Sequence, residues 1–181
     1  AKDAVEEAGR DPGVRVLVVS GAGRGFCAGA DLKAGATGEG ADPFDTFERV
    51  HEAYAPLIKA LRALPKVAVA AVRGPAVGAG LSIALACDLV VASRSARFGA
   101  VFAKVGLCPD LGAFFFLSRA IGASRARELM LFGDTLDADA AHALGFVHQV
   151  HDDDRFDAEL AAYTERLASG APRAQAVVKR M

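Results

Sequence analysis

Residues 65–88 read PKVAVAAVRGPAVGAGLSIALACD, and the fold follows from how that stretch divides. Val67 to Val72 is an unbroken run of Val and Ala, apolar on both faces, as a strand inside a layered sheet must be. Arg73-Gly74-Pro75 ends it, because proline cannot continue a central strand. Gly78-Ala79-Gly80 follows, and Leu81, Ile83, Ala84 and Leu85 then form a short helical run. A strand, a glycine-rich turn and a helix aim unpaired backbone N–H groups at whatever lies before the helix. The lack of bulk at 78–80 lets a ligand oxygen approach those groups closely. A second reading stays open, in which small residues serve only tight packing of helix on sheet.

The whole chain has 181 residues, 52% of them hydrophobic, with a formal net charge of -1. That length fits one domain with a substantial core. The near-neutral balance offers no electrostatic case for nucleic acid or an anionic membrane. No apolar run reaches the length of a membrane span, and the first residues lack the pattern of a signal peptide. Three cysteines in apolar segments read as reduced and buried, as in a cytoplasmic protein. No Cys/His cluster has metal-ligand spacing.

Outward from the centre, the pattern is that of an α/β protein. Val14 to Ser20 reads as a second buried strand, running into Gly21-Ala22-Gly23-Arg24-Gly25. A dinucleotide-binding reading of that turn fails, since Phe26 stands at the sixth position and no helix opens after the glycines. The first ten residues read as a helix closed by Gly9. Residues 34–42 read as a mobile Gly/Ala-rich loop, and Asp42-Pro43 as the start of a helix kinked near Pro56. Residues 88–93 read as a strand, 98–104 are ambiguous, and 105–112 form a loop. An apolar helix follows from Phe114. Two more run from Ser124 to Phe132, closed by Gly133, and from Asp137 to Leu144, closed by Gly145. Residues 146–150 alternate as a strand, and acidic residues 152–154 lead into a further helix. The expected division is a core over 1–150 and the start of a C-terminal helical part over 151–181. The first and last residues fall inside helical patterns, which reads as a chain truncated at both ends.

Two glycine-punctuated turns, each after a strand, can each offer one N–H to a single anionic oxygen. At this point the chain resembles the crotonase, or enoyl-CoA hydratase/isomerase, superfamily. The resemblance lies in VRVLVVSGAGRGFCAGADLK (14–33), residues 65–88, ARFGAVFAKVGLCPDLG (96–112) and residues 119–150. It implies a spiral of ββα turns with C-terminal helices, assembled as a homotrimer or a dimer of trimers. It also implies an acyl-CoA substrate, with coenzyme A present as part of the thioester and no tightly bound cofactor. The two oxyanion donors would be the N–H groups of Ala30 and Ala79. One such donor is worth about 3–4 kcal/mol to an acyl-transfer transition state. Arg24, Ala28, Leu32 and Lys33 would lie along the coenzyme A; for Arg24 and Lys33 the alternative is a solvated loop charge.

Carboxylates then decide the reaction. Hydratases of this family use two glutamates flanking one water, and the matching positions here hold Ser82 and Phe102. Neither is a carboxylate, so both are assigned to the substrate pocket. The nearest carboxylate is Asp110, in a loop similar to that of the enoyl-CoA and epoxyphenylacetyl-CoA isomerase branch. A single carboxylate can remove a proton from one carbon and return it two carbons away. Leu107, Leu111 and residues 114–116 are expected to desolvate Asp110 and raise its pKa. Its alternative role is capping a helix that begins near Leu111. Three further readings stand beside the isomerase: a hydratase of the same superfamily, an inactive acyl-CoA binder, and a serine hydrolase built on Ser82. The last is disfavoured, since a nucleophile elbow sits at the strand-to-helix turn.

Overall fold

The computed structural model describes residues 1–31 and 43–181. Its central element is β2 (Val67–Val72), whose six residues are all buried. The reason is its position. It lies inside a parallel sheet of order β1-β2-β4-β7, with β1 at Val16–Ser20, β4 at Leu89–Ser93 and β7 at Gln149–His151. Successive side chains of a strand face opposite ways. Val67, Val69 and Ala71 join Val91 and Phe156 in one core, while Ala68, Ala70 and Val72 join the larger core on the other face. The first core is closed by α7 (Phe156–Ala168), whose Phe156 is 2% exposed.

The repeating unit is ββα. β2 is followed by β3 (Pro75–Val77) and α3 (Ala79–Ala86); β4 is followed by β5 (Arg97–Gly99), a 3₁₀ turn (Val101–Val105) and α4 (Ala113–Ile121). The first strand of each pair enters the large sheet. The second enters a small sheet of order β3-β5-β6, where β6 is Thr135–Asp137. β1 repeats the scheme, since Cys27 forms a parallel bridge with Ala76 of β3 before α2 (Pro43–Ala63) begins. The remaining helices are α1 (Lys2–Arg10), α5 (Ala123–Phe132), α6 (Ala138–Leu144) and α8 (Pro172–Arg180).

Several expectations are corrected. The break at Arg73-Gly74-Pro75 is a corner rather than a long turn. Gly74 takes φ +54°, and Pro75 opens β3, a strand position where its missing N–H is tolerated. The ambiguous stretch 98–104 resolves into β5 and the 3₁₀ turn. β1 starts at Val16 and is the edge of the sheet among the described residues, with Val18 40% exposed. Gly9 lies within α1, which ends at Arg10 with Asp11 as its C-cap; the glycine's absent Cβ leaves room for Leu64. Cys108 is exposed and Cys27 is partly so, whereas Cys87 is buried and its thiol is pushed up to about 12 by that burial. The glycine-stopped helices are as expected, with Gly133 and Gly145 left-handed and Asp137 accepting the Ala140 N–H at 2.8 Å.

One buried ion pair fastens the C-terminal helix. The Lys179 side chain, 3% exposed, reaches Asp88 Oδ2 at 2.8 Å and the Lys66 carbonyl at 3.0 Å. That same carboxylate oxygen accepts the Ala68 N–H at 2.8 Å. Among the described residues, no helix is long and apolar enough to cross a membrane.

A pH-sensitive joint lies where β4 meets the approach to β7. The Val90 N–H donates to His148 Nδ1 at 3.0 Å, and the His148 N–H donates to the Val90 carbonyl at 2.8 Å. Burial holds the His148 ring below its ordinary value of 6.5, and the Val90 bond needs Nδ1 without a proton. The folded-state pKa is lowered, so this contribution to stability is full above 6.5 and is lost as the pH falls from there through the lowered folded value. The melting temperature is therefore expected to drop between pH 7.5 and 5. His148→Asn, which keeps an acceptor but no titration, is expected to flatten part of that drop in a thermal melt series. An unchanged slope would exclude His148 as its source.

Candidate active site

The Cys27–Ala76 bridge brings the two glycine turns together. The Cys27 N–H donates to the Pro75 carbonyl and the Val77 N–H to the Cys27 carbonyl, both at 2.9 Å. Gly29 takes φ +98° and Gly78 takes φ +56°. A Cβ on Gly29 would sit 3.0 Å from the Val77 carbonyl oxygen and 3.7 Å from the Ala79 nitrogen. Glycine is needed here both for its left-handed backbone and for close approach. Ala79 is the first residue of α3, and the first intrahelical bond runs from the Ser82 N–H to the Gly78 carbonyl at 3.2 Å. The Ala79 N–H therefore has no acceptor within the helix. Neither it nor the Ala30 N–H has a backbone acceptor among the described residues. Gly80 closes the joint, since a Cβ there would overlap the Cys27 carbonyl oxygen.

Asp110 lies in the loop between the 3₁₀ turn and α4. Its carbonyl accepts the Ala113 N–H at 2.9 Å, and Leu111 next to it takes φ +50°. A leucine there is strained by about 1–3 kcal/mol, a penalty that persists only where the surroundings fix the backbone. The carboxyl is half-buried, and Oδ1 is buried without a hydrogen-bond partner. Burial pushes its pKa above the ordinary carboxylate value, opposed more weakly by its own backbone amide and by the His51 charge on α2. The cap of α4 is Gly112, with no side-chain cap bond, so Asp110 does not cap that helix. Of the apolar residues expected to shield it, Leu111 is buried. Phe114 and Phe115 are 37% and 57% exposed, since they occupy the outer face of α4.

Ser82 is wholly buried, and its hydroxyl stands 3.4 Å from both the Gly78 and the Asp110 carbonyl oxygens. The side chain spans two backbone elements and is buried, and its expected place beside the substrate pocket rests on the family pattern. It also sits a turn into α3, away from where an elbow nucleophile would stand. Phe102, 4% exposed, lies in the main core beside the loop, and its carbonyl accepts the Leu107 N–H at 3.0 Å. Arg24 and Ala28 are exposed on the first turn. Leu32, Lys33 and the stretch 34–42 lie outside the described residues. The other histidines are engaged elsewhere, His142 Nδ1 with the Val147 carbonyl at 2.7 Å and His151 Nε2 with Gln149 at 2.9 Å. Neither the His51 charge acting on Asp110 nor the Ser82 hydroxyl beside its carbonyl has a pattern in the sequence. A lone hydroxyl in the apolar run LSIALA was the one available signal.

A spiral of ββα units that joins two glycine turns, with the Ala30 and Ala79 N–H groups lacking a backbone acceptor among the described residues, defines a crotonase fold. The chain belongs to the enoyl-CoA hydratase/isomerase family, whose sequence profile matches residues 1–181. It is 43% identical over 155 residues to the 1,2-epoxyphenylacetyl-CoA isomerase of Escherichia coli K12, covering 84% of this chain and 58% of that protein. It is 37% identical over 166 residues to a probable enoyl-CoA hydratase of Rhodobacter capsulatus, covering 92% and 63%. A putative enoyl-CoA hydratase/isomerase from Mycobacterium abscessus superposes with a TM-score of 0.91 at 40% identity, covering 99% of this chain and 69% of that one. The chain thus spans about six-tenths of the length of the curated relatives it matches.

Proposed function

We propose that this chain is the catalytic core of an acyl-CoA isomerase that shifts a double bond through a thioester enolate. In this reading the thioester oxygen lies between the Ala30 and Ala79 N–H groups. Asp110 removes a proton from C2 of a 3-enoyl thioester, and the electron pair moves onto the oxygen as the dienolate. The same carboxyl then returns its proton at C4, leaving the conjugated 2-enoyl product. Arg24, Ala28, Leu32 and Lys33 are assigned to the coenzyme A moiety, on the strength of the family pattern. The observation that carries the reading is the Asp110 carboxyl, half-buried with one oxygen unpaired. Burial without a partner raises a carboxylate's proton affinity, as a base acting on a weak carbon acid needs. Ser82 and Phe102 stand at the positions that match the hydratase glutamates, and neither is a carboxylate.

The hydratase reading draws on the similarity to the Rhodobacter capsulatus protein. One assay separates the two. The full-length protein is mixed with a 3-enoyl-CoA and, separately, with a 2-enoyl-CoA, and conjugated-thioester absorbance is followed. Absorbance gained from the 3-enoyl compound is the expected result. Absorbance lost only from the 2-enoyl compound would make the protein a hydratase.

A further inference from the structure

We infer that Ser82 is a positioning residue, which sets the place of Asp110 against the Ala79 N–H by clamping the loop and the helix start to one buried hydroxyl. The inference rests on Asp110 acting as the proton carrier.

The geometry is specific. Ser82 has one hydroxyl hydrogen and two carbonyl acceptors at equal distance, Gly78 on the turn that precedes Ala79 and Asp110 on the loop. Each carbonyl already accepts one backbone N–H, from Ser82 itself and from Ala113 respectively. The hydroxyl is therefore a further tie between the two elements, and not a repair of an unsatisfied group. It is wholly buried, so water cannot take its place. The loop it holds needs holding. Leu111 has φ +50° and Gly112 φ +78°, a conformation a leucine adopts only under constraint. Asp110 Oδ1 has no partner among the described residues, and the amide that acts on the carboxyl is its own, so the carboxyl's place follows the backbone behind it. Proton transfer to carbon is sensitive to displacements well under the length of a bond, so a small shift of this loop lowers the rate without touching thioester binding.

The test is a double-mutant cycle on the full-length protein with a 3-enoyl-CoA substrate. Ser82→Ala is expected to lower kcat about tenfold, with KM and the affinity for an unreactive acyl-CoA thioether nearly unchanged. Retention of the C2 label at C4 in heavy water is expected to fall as well, because a displaced carboxyl exchanges its proton before returning it. Ser82→Thr, which keeps the hydroxyl, is expected to recover more of the retention than Ser82→Cys, which keeps only the bulk. In the Asp110→Asn background, Ser82→Ala is expected to cost nothing further. A folded Ser82→Ala protein with full kcat and retention would overturn the inference. So would an equal loss of rate in both backgrounds, which would place the action of Ser82 on the Ala79 turn alone. Full activity in Asp110→Asn by itself would instead remove the proton-carrier reading on which the inference stands.

Discussion

Asp110→Asn is expected to lower the isomerisation rate by about 10²–10⁴-fold, the range for removing a positioned acid–base group. Asparagine fills the same space and cannot accept the C2 proton, so binding of the thioester is expected to survive. The variant is also expected to melt no lower than the parent at pH 7, and somewhat higher. The folded-state pKa of Asp110 is raised by burial, so the native state holds its proton more tightly than the unfolded chain. Stability then falls as the pH rises from the ordinary carboxylate value through the raised one, because the native protein must ionise a poorly solvated group. The gain from asparagine therefore belongs to neutral pH and disappears in acid, below the unfolded value. Loss of activity with a gain in stability is the signature of a residue kept for chemistry and not for the fold. A variant that keeps its rate, or that melts lower at pH 7 than at pH 4 relative to the parent, would contradict the assignment.

The pH profile of the parent follows from the same burial. Since the carboxylate form is the base, kcat/KM is expected to rise through the raised pKa of Asp110. His51, whose charge opposes that rise, lies on α2, so the position of the limb reports on that helix as well.

The legible parts of this chain were those whose physics is local. Six consecutive apolar β-formers can be buried on both faces only inside a sheet, and β2 is there. Gly133 and Gly145 ended helices because each adopts the left-handed backbone that other residues resist. Asp137 announced a helix start because its side chain can accept from the N–H three residues on. The errors came where distant residues decide. Val16 to Val19 looks as apolar as Val69 to Val72, yet has a neighbour on one side only among the described residues, and no pattern within the strand reports its neighbours. Gly9 reads as a stop but serves the packing of Leu64. β3 was hidden by Pro75, which ends one strand and opens the next. The pairing of Cys27 with Ala76, which sets the two glycine turns side by side, has no local signal at all. The candidate residues Ala30, Ala79 and Asp110 came from the family pattern. The lack of backbone acceptors for the Ala30 and Ala79 N–H groups among the described residues, the unpaired Oδ1 and the Ser82 contacts have no local signal and need the structure.

Gly80→Ala is expected to be a strongly damaging single-methyl change at the joint between the two turns. The new Cβ would overlap the Cys27 carbonyl oxygen and lie 2.8 Å from its carbonyl carbon. Both are backbone atoms, held by the bonds Cys27 makes with Pro75 and Val77, so no flexible side chain can yield. Relief requires that α3 and the first turn move apart. Overpacking of this kind costs about 1–3 kcal/mol and more where the neighbour is rigid, and each kcal/mol lowers the melting temperature of a domain this size by about 2–4 °C. The larger effect is on catalysis. Ala79 immediately precedes the substituted residue, and Ala30 follows Cys27 by a single short turn, so separating the two segments moves both N–H donors off a common point. Losing one such donor lowers kcat by about 10²–10³-fold. An equal methyl at Gly23, where an added Cβ meets nothing within 4 Å, is the control and is expected to leave rate and stability nearly unchanged. If Gly80→Ala keeps both its melting temperature and its rate, the two turns do not meet as described and the shared oxyanion site is lost with them. If it melts lower but retains full kcat, the joint is a packing device only, and the N–H groups of Ala30 and Ala79 do not act on one oxygen.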